Sequence, residues 1–204
     1  MLRFLRNLFR RPTPAAVTVL GASTADIPIY PWFGVINTDE LEQGDIFENC
    51  PVYFPPADLG ESPNRAIFKW GELDLIVLSQ SCDLVRGREE GPQVSLCAIW
   101  RQSEFKAGHK FADVSNLERV RKGQIPRYHL IARSDLSGFE REIRVVDLQP
   151  VYSLPVAFLR RRALMGKRLR LLPPYREHLS QSFARSFMRV GLPIDIPPFT
   201  KNKK

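Results

Sequence analysis

The chain has 204 residues, 44% of them hydrophobic and 25% charged, a folded globular composition that argues against wholesale disorder. Its 30 Lys and Arg outnumber 22 Asp and Glu, giving a formal charge of +8. No apolar run reaches the roughly 18 residues of a membrane helix, and Cys50, Cys82 and Cys97 are too widely spaced for a disulfide framework, so a cytoplasmic protein is expected.

The opening MLRFLRNLFRR places Leu2, Leu5, Leu8 and Phe9 at helical spacing with Arg3, Arg6 and Arg10 between them. Pro12 ends the pattern. Such a segment suits a foot on an anionic membrane surface or on a partner protein, but it is too short to hold as a helix by itself. Residues 1–31 are therefore read as an amphipathic segment and linker, ahead of a single domain over 32–195 and a loose basic tail over 196–204.

Within that domain the pattern from Trp32 is mostly β. Gly44-Asp45-Ile46-Phe47 opens a strand and Pro51 to Phe54 continues or pairs with it. Ala66 to Trp70 reads as a further strand, with Gly71-Glu72 as a turn. Leu73 to Leu78 and Val94 to Trp100 are nearly continuous apolar runs, the mark of strands buried on both faces. Strands so spaced predict a small closed or nearly closed barrel. One or two short helices are expected between Arg101 and Lys122, then strands at Arg127–Ile131, Ile143–Leu148 and Val151–Phe158. Arg168 to Leu172 alternates with period two, as a half-exposed strand does, and the arginine-rich stretch from Arg160 reads as a basic β extension. The clearest helix is Tyr175 to Val190, with Leu179, Phe183, Phe187 and Val190 as its apolar stripe and Gly191 and Pro193 beyond it.

Charge divides the domain. Residues 12–100 carry 4 basic and 13 acidic side chains, whereas residues 101–204 carry 22 and 9. An acidic front half (32–100) and a basic back half (101–195) fit either a directed polyanion contact by the back half or two halves that pack on each other, in one chain or between copies. Arg160, Arg161, Arg162, Lys167, Arg168 and Arg170 crowd six cations into eleven residues with no acid among them. Arg185 and Arg189 add a stripe on the last helix, beside His178 and Gln181. Guanidinium forks suit phosphate, so these eight cations are the candidate contacts to RNA or another nucleic acid.

The loop after the first buried strand packs Ser79, Gln80, Ser81, Cys82 and Asp83 together. A thiol nucleophile there needs a base from His109, His129 or His178, and the neighbouring Asp83 raises the thiol pKa. Capping of a turn by Ser and Asp, with Cys82 in a small apolar site, is the structural alternative. The three cysteines lack the paired spacing of a zinc site and there is no phosphate-cradling glycine loop, so no metal or cofactor is expected.

Gly44-Asp45-Ile46, Ile76-Val77-Leu78-Ser79, the polar loop Ser81 to Gln93 and the strand Val94 to Ile99 together resemble the PemK/MazF growth-inhibitor family of toxin–antitoxin systems, over about residues 43–100. The resemblance implies an SH3-like barrel, often dimeric, and sequence-selective RNA cleavage. Where that family carries an arginine beside a proline, this chain reads Gly71-Glu72-Leu73-Asp74, and Pro92-Gln93 occupies the position of its hydroxyl residue. An RNA-cleaving site here would draw on Ser79, Ser81, Cys82 and Asp83, with Arg86 and Arg88 as cations. The expected fold is α+β: a small SH3-like barrel of PemK/MazF type with inserted short helices, a basic β extension and a C-terminal amphipathic helix. The expected function is binding of nucleic acid, RNA foremost. Alternatives are a metal-independent endoribonuclease toxin and a protein-interaction subunit of a bacterial defence or toxin–antitoxin cassette.

Overall fold

The computed structural model describes residues 30–58, 66–85, 93–108 and 113–188. The N-terminal amphipathic segment and the basic tail lie outside these residues. In chain order the described elements are β1 (Phe33–Ile36), β2 (Ile46–Phe54), β3 (Lys69–Val77), β4 (Gln93–Arg101), α1 (Gln102–Gly108), α2 (Val114–Arg121) and β5 (Tyr128–Ile131). There follow β6 (Ser134–Leu136), β7 (Phe139–Arg141), β8 (Arg144–Pro155), α3 (Val156–Ala163), β9 (Arg168–Leu171) and α4 (Tyr175–Phe187). The fold is mixed α+β with antiparallel pairing throughout.

Five strands form the central sheet in the order β2-β3-β4-β8-β5, while β1 pairs with β9 and β6 with β7. Strand alternation gives the sheet two apolar faces. One carries Val52, Leu75, Val77 and Leu96 and is covered by Val156 and Leu159 of α3. The other carries Ile46, Ile76, Ile99 and Val146 and packs on Leu169 and Leu171 of β9 and Leu179 of α4. Burial on both faces is why Leu73–Leu78 and Val94–Trp100, along β3 and β4, read as nearly continuous apolar runs. A third cluster seats Phe105 of α1 and Leu117 and Val120 of α2 against Tyr128 and Val145.

Several expectations change. Gly71 and Glu72 are not a turn; they lie inside β3, opposite Val52 and Pro51. The two strands expected over 143–158 are one strand, β8, interrupted opposite Cys97 and Ala98 by a register shift that accommodates Pro150. The arginine run 160–162 lies on a helix, α3, instead of a β extension. β9 is buried along its whole length, not half exposed, because its arginines are paired inside the fold. α4 stops at Phe187, which is exposed.

Gly44 fixes the joint between the β1–β9 ribbon and the main sheet. Its N–H donates to the Val77 carbonyl and its carbonyl accepts from Leu171 N–H, both at 2.9 Å. Its φ of +87° is left-handed, and a Cβ there would stand 2.9 Å from the Leu171 carbonyl oxygen. Gly44→Ala is expected to cost about 2 kcal/mol or more, the strain of the left-handed residue plus the overlap. A denaturant midpoint unchanged from wild type would contradict this account of the joint.

Candidate functional site

The oppositely charged halves meet within one chain. Buried Asp45 accepts from Arg168 Nη2 at 2.9 Å and from Arg170 Nε at 2.5 Å and Nη2 at 3.0 Å. Arg168 and Arg170 also donate to the carbonyls of Thr38 and Glu40. Glu42 pairs with both Arg170 and Arg176. The two β9 arginines, expected from sequence to contact phosphate, are thus buried structural groups that clamp the Gly44-Asp45 joint.

The remaining sequence-nominated cations divide. Arg160 donates to the Leu84 carbonyl, and Arg162 donates to the carbonyls of Glu48 and Asn49, so both are partly engaged. Arg161, Lys167 and Arg185 are exposed. Arg86, Arg88 and Arg189 lie outside the described residues.

The Ser79–Asp83 loop runs into a 3-10 turn at Ser81–Leu84. Ser79 Oγ accepts the N–H of Ser95 at 2.9 Å, and Ser81 Oγ accepts that of Gln43 at 3.2 Å. Gln43 in turn donates to the Leu78 carbonyl and to Ser180 of α4. The two serines therefore fasten the loop to neighbouring backbone. Cys82 is exposed and donates to Asp83 at 3.3 Å; that bond, with the Asp83 charge, pushes the thiol up and away from thiolate. Neither described histidine is hydrogen-bonded to Cys82: His129 pairs with Ser182 Oγ at 2.9 Å, and His178 stands on α4 beside Tyr175. No nucleophile–base pair is assembled in this loop among the described residues.

A different cluster forms where the second apolar face reaches the end of the sheet. Two positions beyond Ile76, Ile99 and Val146 on their strands stand Asp74, Arg101 and Arg144, each replacing a core residue by a charge on the same face. Arg101 and Arg144 are paired in register. With Glu140 and Arg141 of β7 and Glu142 from the β7–β8 connection they line a cavity of about 260 Å³.

Behind this cavity, Glu48 accepts a fork from Arg141 Nε and Nη2 at 2.7 and 2.8 Å. That hydrogen-bonded pair holds the Glu48 carboxyl below its ordinary range, against the cost of burial. Arg144 reaches Glu48 with Nη1 at 3.3 Å, and its side chain is 2% exposed. Its Nε and Nη2 are buried and have no hydrogen-bond partner among the described residues. Burial lowers the Arg144 guanidinium, with Glu48 and Asp74 opposing. Asp74 Oδ1 accepts the N–H of Asn49 at 2.8 Å, and burial pushes its carboxyl up. Asn49 has a φ of 50° and, with Glu48, forms the bulge where β2 shifts register against β3.

On the same face of β3, two and four positions before Asp74, come Glu72 and Trp70. Trp70 stands directly opposite Tyr53, and these two side chains are 65% and 66% exposed. Phe68, just ahead of β3, is also exposed. In the sequence Gly71 to Asp74 is acidic and without an arginine; in the fold the missing cations arrive from β4, β7 and β8. A basic residue at the head of an apolar run, as in Arg144-Val145-Val146, was the available local signal. Comparisons with protein-family models, curated proteins and solved structures find no match.

Proposed function

We propose that this chain binds single-stranded nucleic acid, RNA foremost, across the sheet face that carries Tyr53, Trp70 and the charged cavity. The observation that carries this reading is the exposed Tyr53–Trp70 pair on the same strand face as Asp74, beside a cavity lined by Arg101, Arg141 and Arg144. Exposed aromatics on a sheet are stacking platforms for unpaired bases, and nearby guanidiniums supply cations and donors. The exposed Arg161, Lys167 and Arg185 add cations elsewhere on the surface for the backbone of a longer strand.

An SH3-like barrel of PemK/MazF type is the fold reading we attach to this function. It is supported by the entry of Gly44-Asp45-Ile46 into the sheet and by the Asp45–Arg170 bridge that hooks the β1–β9 ribbon onto β2.

Fluorescence anisotropy with a labelled single-stranded RNA of about a dozen nucleotides tests the proposal. Binding is expected to weaken steeply with added salt, and Trp70→Ala to weaken it about tenfold, since stacking one base contributes roughly 1–3 kcal/mol. Trp70 is exposed, so the substitution leaves the core intact. Undetectable binding, or an affinity indifferent to Trp70 and to salt, would sink the proposal. A protein that co-purifies after nuclease treatment while RNA fails to bind would favour the interaction-subunit alternative.

A further inference from the structure

Arginine forks in this chain have a consistent habit. Arg127, Arg141 and Arg170 each present Nε and Nη2 side by side to the two oxygens of one carboxylate. Arg144 presents the same edge with no protein acceptor among the described residues, at the wall of the cavity. Leaving such buried donors unpaired costs their full desolvation, so a group offering two adjacent acceptors is favoured there.

The charge balance limits what that group can be. Arg101, Arg141 and Arg144 are matched by Asp74, Glu140 and Glu142 around the cavity, and Glu48 stands behind them. A bare phosphate therefore finds no net attraction. A neutral, flat ligand with acceptors on one edge and donors on another satisfies both signs. Of the nucleobases, guanine alone offers two acceptors, O6 and N7, at fork spacing together with N1–H and N2–H donors for a carboxylate. Adenine turns an N6 donor toward the fork in place of O6.

The carboxylate in position is Asp74. One of its oxygens holds the Asn49 N–H, and Oδ2 has no hydrogen bond among the described residues. Glu142 is held by the N–H and Oγ of Ser103, and Glu140 by Gly138 N–H. Burial, which already pushes the Asp74 carboxyl up, makes two donors from a ligand more favourable.

We propose that the cavity at Asp74, Arg101 and Arg144 reads guanine in the bound strand, with the Arg144 fork on O6 and N7 and Asp74 on N1–H and N2–H. A guanine pocket presupposes the nucleic-acid reading above and assigns it a sequence preference. The fork lies beneath the solvent-accessible surface, so the base reaches it only as lining side chains such as the exposed Arg101 are displaced. Recognition is then an induced fit, with Tyr53 and Trp70 supporting bases next to the one inserted.

The test uses the full chain and a set of oligouridines that differ at one central position: guanine, adenine, inosine or 7-deazaguanine. The guanine strand is expected to bind about tenfold or more tightly than the adenine strand. Inosine, which lacks the 2-amino group, and 7-deazaguanine, which lacks N7, are each expected to fall between them. Asp74→Asn retains an oxygen for the Asn49 N–H and is expected to collapse the guanine-to-adenine ratio toward one. Should that variant not fold, the analogue series on wild type decides alone. Equal affinity for all four strands overturns the guanine pocket while leaving nucleic-acid binding in place; no binding of any strand overturns both.

Discussion

Asp45→Ala is expected to remove about 3–5 kcal/mol of stability, the usual consequence of deleting one partner from a buried ion pair. Asp45 is fully buried between two guanidiniums that are themselves 5% and 7% exposed. Without its carboxylate, Arg168 and Arg170 face each other in the interior, and the nearest remaining acid, Glu42, is shared with Arg176. Carbonyls of Thr38 and Glu40 still accept hydrogen bonds but do not neutralise the charge. The loss would be a large share of the roughly 5–15 kcal/mol that holds a domain of this size together. Asp45→Asn, which keeps one acceptor oxygen, should fall between wild type and Ala. Urea unfolding followed by far-ultraviolet circular dichroism measures both; a loss below about 1 kcal/mol for Ala would show that the clamp contributes little.

Acid should weaken the fold through His129 before most carboxylates respond. His129 bridges β5 to α4 through Ser182, and burial, with the nearby His178, pushes its pKa from 6.5 down to about 4. The sign follows from linkage. Above pH 6.5 the ring is neutral in both folded and unfolded chains and contributes no pH dependence. As pH falls from 6.5 toward 4, the unfolded chain takes up a proton that the folded protein refuses. Stability is therefore lost across that window, by about 3 kcal/mol at its lower end. His129→Gln, which keeps a polar partner for Ser182, should flatten the stability profile between pH 6.5 and 4. Parallel profiles for variant and wild type would place the acid sensitivity elsewhere. Glu48, held low by Arg141, adds to the loss at the acid end, where its carboxylate becomes protonated.

What could be read from the sequence was whatever depends on neighbours in the chain. The apolar runs at Leu73–Leu78 and Val94–Trp100 identify β3 and β4 because each strand is covered on both faces. The Leu179 periodicity identifies α4. β9 misleads because Arg168 and Arg170 look solvent-facing until Asp45, more than a hundred positions earlier, is brought against them. The division into acidic and basic halves was plain in the composition, and its meaning lies in Glu42, Asp45 and Glu48 meeting Arg141, Arg144, Arg168, Arg170 and Arg176. The cavity was hidden for the same reason. Asp74 is an ordinary polar interruption of an apolar run until the pairing of β3, β4 and β8 sets it beside Arg101 and Arg144.

The pairing of β1 with β9 also sets a timetable. Phe33 lies opposite Leu171, so the first described strand waits for the last before it has a partner. During synthesis, Glu42, Asp45 and Glu48 leave the ribosome well ahead of the arginines that neutralise them. Until Arg168, Arg170 and Arg176 have emerged, Glu42 and Asp45 lack the guanidiniums that pair with them in the fold. Contacts of such long sequence separation are slow to form, which makes closure of the β1–β9 ribbon a late step of folding.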